Sequence, residues 1–233
     1  AILVCHGYTN TPHAAGDALG WGYNLIGPGK AVNTDKYFVV CSNMIGSAYG
    51  SSGPGETNPA TGKPYGPDFP KYTILDMIAA QHDLLDHLEI EQLKAVMGYS
   101  YGGHLTFLWG AKYPDRMRAL IPIAGVLKRE HTLKDIARIR ARFADCAGWN
   151  DGHYYGNEDL ARGVREKMVE VRMETLTKYG LGDYLKATND DAIKRDKIIR
   201  NLAESWSHEF DANALSILYE AGIASSADVS KFK

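Results

Sequence analysis

The sequence predicts an α/β protein with a mostly parallel sheet, crossover helices and an inserted helical cap. Three observations predict it. Short apolar runs alternate with helical periodicity over residues 1–125, an order that calls for parallel strands joined by crossovers. One of those runs leads into "GYSYG" (98–102) and then straight into a helical pattern. From residue 126 the chain becomes charged and helical, with no strand pattern before residue 205.

The elements follow in order. "AILVC" (1–5) and "YFVVC" (37–41) are short continuous apolar runs, as buried parallel strands show. "HGYTNTPHAAGD" after the first of them reads as loop. Residues 46–70, "GSAYGSSGPGETNPATGKPYGPDFP", are dense in Gly, Pro, Ser and Asn; a loop of this length inside a domain is usually functional. "TILDMIAAQHDLLDHL" (73–88) is a helix. Thr73 is placed to cap it with Asp76 three residues on, and Ile74, Met77, Ile78, Leu84, Leu85 and Leu88 supply its apolar stripe. "LKAVM" (93–97) is a strand, "GGHLTFLWGAKY" (102–113) a helix stopped by Pro114, and "RALIPIAG" (118–125) a further buried strand. In the next segment Ile136, Ile139 and Phe143 share one helix face, and Lys134, Arg138 and Arg142 the other. Further helices are expected over 160–179 and 191–205. The division that results is a core over 1–125, a helical cap over 126–210 and a return to the core over 211–233.

Composition narrows the function classes. The 26 basic and 28 acidic residues give a formal charge of −2, and no basic face suited to nucleic acid is evident. No apolar run reaches the roughly 18 residues of a membrane helix, and no signal-peptide pattern is present, so no membrane partner is expected. Cys5, Cys41 and Cys146 are few and odd in number. Cys5 and Cys41 end strand runs and are expected as buried thiols, in a reducing, cytoplasmic setting. No cluster has zinc spacing and no phosphate-loop pattern occurs, so neither a metal nor a bound cofactor is expected. The chain begins at Ala1 inside an apolar run and stops at Lys233 just after a helical pattern. Both ends read as cut, the expectation being an internal portion of a longer enzyme.

"GYSYG" fits G-x-S-x-G in the context that pattern needs, with a strand before it and a helix after. Ser100 is the candidate nucleophile. Gly98 and Gly102 permit a turn so tight that side chains there would strike neighbouring backbone. The turn lifts the Ser100 hydroxyl to the carboxyl end of the sheet, where open α/β sheets bind ligands. It also sits at a helix N-terminus, which favours developing negative charge. The backbone N–H of Tyr101 and that of Tyr8, in "CHGYTN" (5–10), are the two candidate oxyanion donors. Losing one such donor typically costs on the order of 10²–10³ in rate. His6 reads as a structural loop residue rather than a base, and His104 as a packing or capping residue. His208 and Asp211 follow Ser100 and read as a hinge pair three apart on one helix, with a triad role as the alternative.

Several stretches carry a family resemblance: "CHGYTNTPHAAG", "GWGYNLIGPGKAVNTDKYFVVCSNMIGSAYGSSGP", "NPATGKPYGPDFPKYTILDMIAAQHDLLDHLEI", "AVMGYSYGG" and "FDANAL". Together they resemble the homoserine O-acetyltransferase family of α/β-hydrolase-fold enzymes. The likeness covers most of residues 1–125 and returns at 210–215. It implies acyl transfer by a Ser-His-Asp triad, with acetyl-CoA as donor, the hydroxyl of homoserine as acceptor, and a place in methionine biosynthesis. Ser100 would form the acyl-enzyme, and the Tyr8 and Tyr101 N–H groups would hold the oxyanion. Arg172, in "VEVRMETLTKYG", matches the family arginine that grips the amino-acid carboxylate. Met168 and Leu176 four residues either side place it at the edge of an apolar face; a salt bridge with a nearby glutamate is the alternative. Asp211 in "FDAN" is a second candidate for the acceptor side. The resemblance places the triad acid and histidine beyond Lys233 and implies a homodimer formed through the cap. Two departures stand out: Tyr99 and Tyr101 flank the serine where the family often carries small residues, and residues 126–208 match poorly.

Two other function classes stay open on the sequence. On the same scaffold, water could discharge Ser100, giving a carboxylic-ester hydrolase. Without an acid and a histidine, the chain could be a non-catalytic binding module.

Overall fold

The computed structural model describes residues 1–17, 20–187 and 191–232. Among these described residues there are eight strands: β1 (Ile2–Cys5), β2 (Ile26–Gly27), β3 (Val32–Asn33), β4 (Val39–Val40), β5 (Thr57–Asn58), β6 (Lys63–Pro64), β7 (Ala95–Tyr99) and β8 (Leu120–Ile123). Seven α-helices join them: α1 (Ile74–His87), α2 (Tyr101–Lys112), α3 (Leu133–Ala141), α4 (Glu158–Lys178), α5 (Leu181–Lys186), α6 (Ala192–Glu209) and α7 (Ala212–Ala221). The main sheet has the order β4-β1-β7-β8 and every pairing in it is parallel. Because β1 lies between β4 and β7, the loop after β1 and the turn after β7 emerge side by side. The register sets Cys5 opposite Gly98, so "HG" and "GYSYG" leave the same rim.

Alternation along the strands divides the core. Ile2, Val4 and Met97 pack with Ala14, Ile26 and Val32 on one side of the sheet. Leu3, Cys5 and Val96 join the second apolar cluster, which holds Ile74, Ile78 and Leu85 of α1 and Leu105 and Trp109 of α2. That cluster runs on without a break into Phe143, Val164, Met168 and Trp206, and into Leu215 and Leu218 of α7. The helical segment and the sheet therefore share one core. Within the segment α4 packs along α6, and its α3 packs against α7.

The α1 cap forms as the spacing predicts, the Thr73 N–H donating to the Asp76 carboxylate at 2.6 Å. Its buried stripe differs. Leu88 is exposed, because the helix ends at His87 and the chain turns away through Glu89 at φ 57°. Gln81 takes a core position instead, accepting from Trp109 Nε1 at 2.8 Å and donating to Ser42 Oγ at 3.2 Å. The pairing satisfies groups whose burial alone would be costly. Cys5 is buried and Cys41 half-buried; both are free thiols, as is Cys146. The reading of His208 and Asp211 as neighbours on one helix is corrected: α6 ends at Glu209, and Asp211 caps α7 by accepting from the Asn213 N–H at 2.7 Å. No described helix is long and apolar enough to cross a membrane.

Candidate active site

Ser100 sits between β7 and α2 at φ 56° and ψ −116°, a conformation L-residues rarely adopt and that surrounding structure must enforce. The Ser100 N–H donates to the Ile123 carbonyl of β8 at 2.9 Å, which fixes the bend to the neighbouring strand. A Cβ on Gly98 would lie 2.4 Å from the Gly102 carbonyl oxygen, and one on Gly102 only 2.0 Å from that of Cys5. Gly103 is equally constrained, since its Cβ would meet the Ile123 oxygen at 2.8 Å. The sequence pattern signals the first two glycines; the third is required by β8 and α2 meeting, which the local motif does not encode.

Tyr101 is the first residue of α2, so its N–H has no intrahelical acceptor. The Tyr8 N–H has no backbone acceptor among the described residues. The loop that carries Tyr8 is fixed by its neighbours. Tyr99 interacts through its phenol oxygen with the Gly7 backbone and the Asn10 side chain, and its ring packs on Trp21 at 5.0 Å. Burial pushes the Tyr99 phenol up to about 12, so it stays protonated. The Tyr8 and Tyr101 hydroxyls donate to the Leu215 and Leu218 carbonyls of α7.

Ser100 opens into a cavity of about 780 Å3 together with Gly7, Tyr8, Thr9 and Tyr99. The helical segment closes it with Phe143, Val171, Arg172 and Trp206. Arg172 is the notable polar group. Its Nη1 donates to Thr9 Oγ1 at 3.2 Å, its guanidinium lies 5.0 Å from the Trp206 ring centroid, and its buried Nε has no partner. No carboxylate pairs with it among the described residues, so the salt-bridge alternative is not what the geometry shows. Desolvation lowers its pKa, while neighbouring Tyr49, Tyr99 and Tyr179 oppose that shift. The site thus holds an uncompensated cation whose spare donors suit an anionic ligand group. At the same cavity, Arg142 is neutralised by Glu174 at 2.6 Å. Thr9 and Trp206 carry no sequence signal for this role, because only the folded chain brings them to Arg172.

Asp211 lies elsewhere. It lines a second cavity, of about 440 Å3, beside Ser47, Tyr49 and Tyr155. Its carboxylate accepts from Tyr155 Oη at 2.8 and 3.1 Å. Burial raises its pKa, and the Tyr155 and Asn213 hydrogen bonds counter that. Phe210, on the wall of this cavity, stacks at 5.0 Å on Trp206, which lines the other.

No histidine lines the Ser100 cavity among the described residues. His6 is buried, with Nδ1 2.9 Å from the Gly7 carbonyl and Nε2 3.1 Å from Asn43 Oδ1. His104 is buried between the Val126 carbonyl at 2.6 Å and Ser225 Oγ at 2.8 Å. Both brace loops, and desolvation lowers both pKa values. Away from the site, His82, Asp83 and Asp86 bring ligand atoms within 4.8 Å of one another. The Arg116 guanidinium already contacts His82 at 2.6 Å and Asp86 at 2.7 Å, which opposes a metal cation there.

Comparison with known proteins places the same fold in a family. The chain is 45% identical over 219 residues to a homoserine O-acetyltransferase of Methanohalobium evestigatum, covering 91% of this chain and 42% of that protein. It spans about half the length of the curated relatives it matches. Among solved structures it resembles the homoserine O-acetyltransferase from Bacillus anthracis, at TM-score 0.71 and 28% identity over 98% of this chain and 67% of that one. It also resembles esterase E22, at TM-score 0.75 and 26% identity over 96% and 68% of the two chains. Residues 1–159 match the family model described as the alpha/beta hydrolase fold, and the chain belongs to that family.

Proposed function

We propose that the protein is a serine O-acyltransferase that moves an acetyl group from CoA to the hydroxyl of homoserine or a similar hydroxy amino acid. One observation carries this reading: an exposed-turn serine and a guanidinium with no carboxylate partner among the described residues face the same cavity. Ser100 Oγ attacks the thioester carbonyl, the C–S bond breaks, and the CoA thiolate leaves and is protonated. The acceptor hydroxyl then attacks the seryl ester, and Ser100 recovers its proton as the C–O bond to it breaks. The Tyr8 and Tyr101 N–H groups would stabilise the oxyanion in both steps. Arg172 would bind the acceptor carboxylate. We assign no acceptor contact to Asp211, which serves α7 and Tyr155. The general base is not His6 or His104, whose ring nitrogens are engaged.

The remaining assignments follow from the same reading. Residues 1–125 form the catalytic core, 126–210 the cap over it, and 211–233 the return. Acetyl-CoA would be a substrate, and acyl transfer through Ser100 calls for no bound cofactor. The free thiols suit a cytoplasmic enzyme, of the kind that serves methionine biosynthesis, and the cap supplies a homodimer contact. A second reading, carboxylic-ester hydrolysis, is favoured by the likeness to esterase E22. Release of CoA from acetyl-CoA with and without homoserine separates the two. The transferase reading expects release to depend on homoserine and O-acetylhomoserine to accumulate; release indifferent to homoserine contradicts it.

A further inference from the structure

The two candidate oxyanion residues share an unusual pairing. Both are tyrosines, and the ring of each runs away from Ser100 to the same helix. Tyr101 Oη donates to the Leu218 carbonyl at 2.9 Å, and Tyr8 Oη donates to the Leu215 carbonyl. Leu215 and Leu218 are three residues apart, hence about 4.5 Å along the helix axis. The two rings stack at 6.0 Å with an interplanar angle of 21°. Two near-parallel struts thus connect two backbone positions on separate loops to successive points on α7.

We propose that α7 positions the oxyanion hole, with the Tyr8 and Tyr101 hydroxyls as the positioning groups. The inference rests on the reading of Ser100 as an acyl-transfer nucleophile. Neither loop controls the distance between the two N–H donors alone, because one follows β1 and the other opens α2. The stacked rings and the pitch of α7 supply a common ruler.

The surroundings hold that ruler rigid. The Leu218 carbonyl belongs to the last turn of α7, where carbonyls lack intrahelical partners, so Tyr101 satisfies a group that needs a donor. Tyr219 of α7 meets the Tyr8 ring edge-on at 5.2 Å. The Arg129 guanidinium is buried 4.6 Å from the Tyr101 ring centroid and 5.4 Å from that of Tyr219. It lies beside Gly222 at the C-terminal end of α7, where the helix dipole favours a cation. Burial raises the pKa of both tyrosines, so both remain donors. At the other end Asp211 caps α7, and Asn213 Nδ2 donates to the Gly152 carbonyl at 2.8 Å.

The test uses Tyr8→Phe and Tyr101→Phe in the whole protein, which keep the rings and remove only the struts' hydrogen bonds. The readouts are Ser100 acylation per titrated active site, KM for acetyl-CoA, and affinity for a small alkyl boronic acid whose Ser100 adduct occupies the oxyanion position. Each variant is expected to slow acylation on the order of 10-fold, less than a lost donor would. Boronate affinity should fall by a similar factor, with KM nearly unchanged. Acylation and boronate affinity at wild-type levels in both variants would overturn the proposal. So would slower turnover with unchanged boronate affinity, which marks a merely structural loss. If Tyr101→Phe does not fold, Tyr8→Phe decides alone. Ser100→Ala, run alongside, must abolish acylation; if it does not, the nucleophile reading and this inference fall together.

Discussion

Gly102→Ala is the sharpest perturbation of the nucleophile turn. The added Cβ would stand 2.0 Å from the Cys5 oxygen, 2.5 Å from the Cys5 carbonyl carbon and 2.7 Å from the His6 oxygen. All three are backbone atoms, so no rotamer change relieves them. Contacts under 3.0 Å are essentially never seen for a Cβ, so α2 and the end of β1 must part by about 1 Å. β1 is hydrogen-bonded on both edges and has little room to yield. Overpacking in cores typically costs about 1–3 kcal/mol, and a clash with fixed backbone belongs at or above the top of that range. A shift of about 1 Å in catalytic geometry can cost on the order of 10² in rate. Urea denaturation measures the first effect and fluorophosphonate labelling of Ser100 the second. Gly182→Ala is the control: it lies in α5 with nothing within 4 Å of its added Cβ, and it should stabilise by about 0.5–1 kcal/mol. A Gly102→Ala protein with the wild-type midpoint and labelling rate would refute the reasoning.

Other outcomes follow from the same contacts. Arg172→Met should raise the acceptor KM by about 10–100-fold, as losing a hydrogen-bonded charge contact of about 1.5–3 kcal/mol predicts, and leave the donor KM nearly unchanged. Because Arg172 is a half-buried cation without a carboxylate partner among the described residues, the same variant should not lower the denaturation midpoint. Gln81→Leu strands the Trp109 indole N–H and should cost about 1–3 kcal/mol; adding Trp109→Phe should recover part of it. His6 and His104 have folded pKa values below their ordinary 6.5, so the unfolded chain binds protons first. Their contribution is therefore intact above about pH 6.5 and is lost as the pH falls toward their folded values. A His104→Gln variant should show a flatter loss of stability between pH 7 and 5, read by urea midpoints.

The local pattern of residues 1–125 made the strained Ser100 turn legible, because strand, G-x-S-x-G and helix are a short-range arrangement. The α1 cap was legible for the same reason, Thr73 and Asp76 being three residues apart. Gln81 was not, since its partners Trp109 and Ser42 arrive from distant segments. The break between His208 and Asp211 was hidden because helical periodicity continues across Phe210, while the Asp211 cap restarts the helix. The roles of the elbow tyrosines were equally hidden. "YSY" looks like an oddity until the fold carries the Tyr101 hydroxyl to the Leu218 carbonyl of α7, more than a hundred residues later, and the Tyr99 phenol to the Gly7 backbone and the Asn10 side chain.

The most direct test of the account is where the acyl group resides. The protein would be mixed with acetyl-CoA, quenched in acid, digested, and its peptides weighed. The account predicts one acetyl group on the peptide that contains Ser100, absent from Ser100→Ala and discharged when homoserine is added before the quench. An acetyl group on another residue, or on none while CoA is still being released, would contradict it.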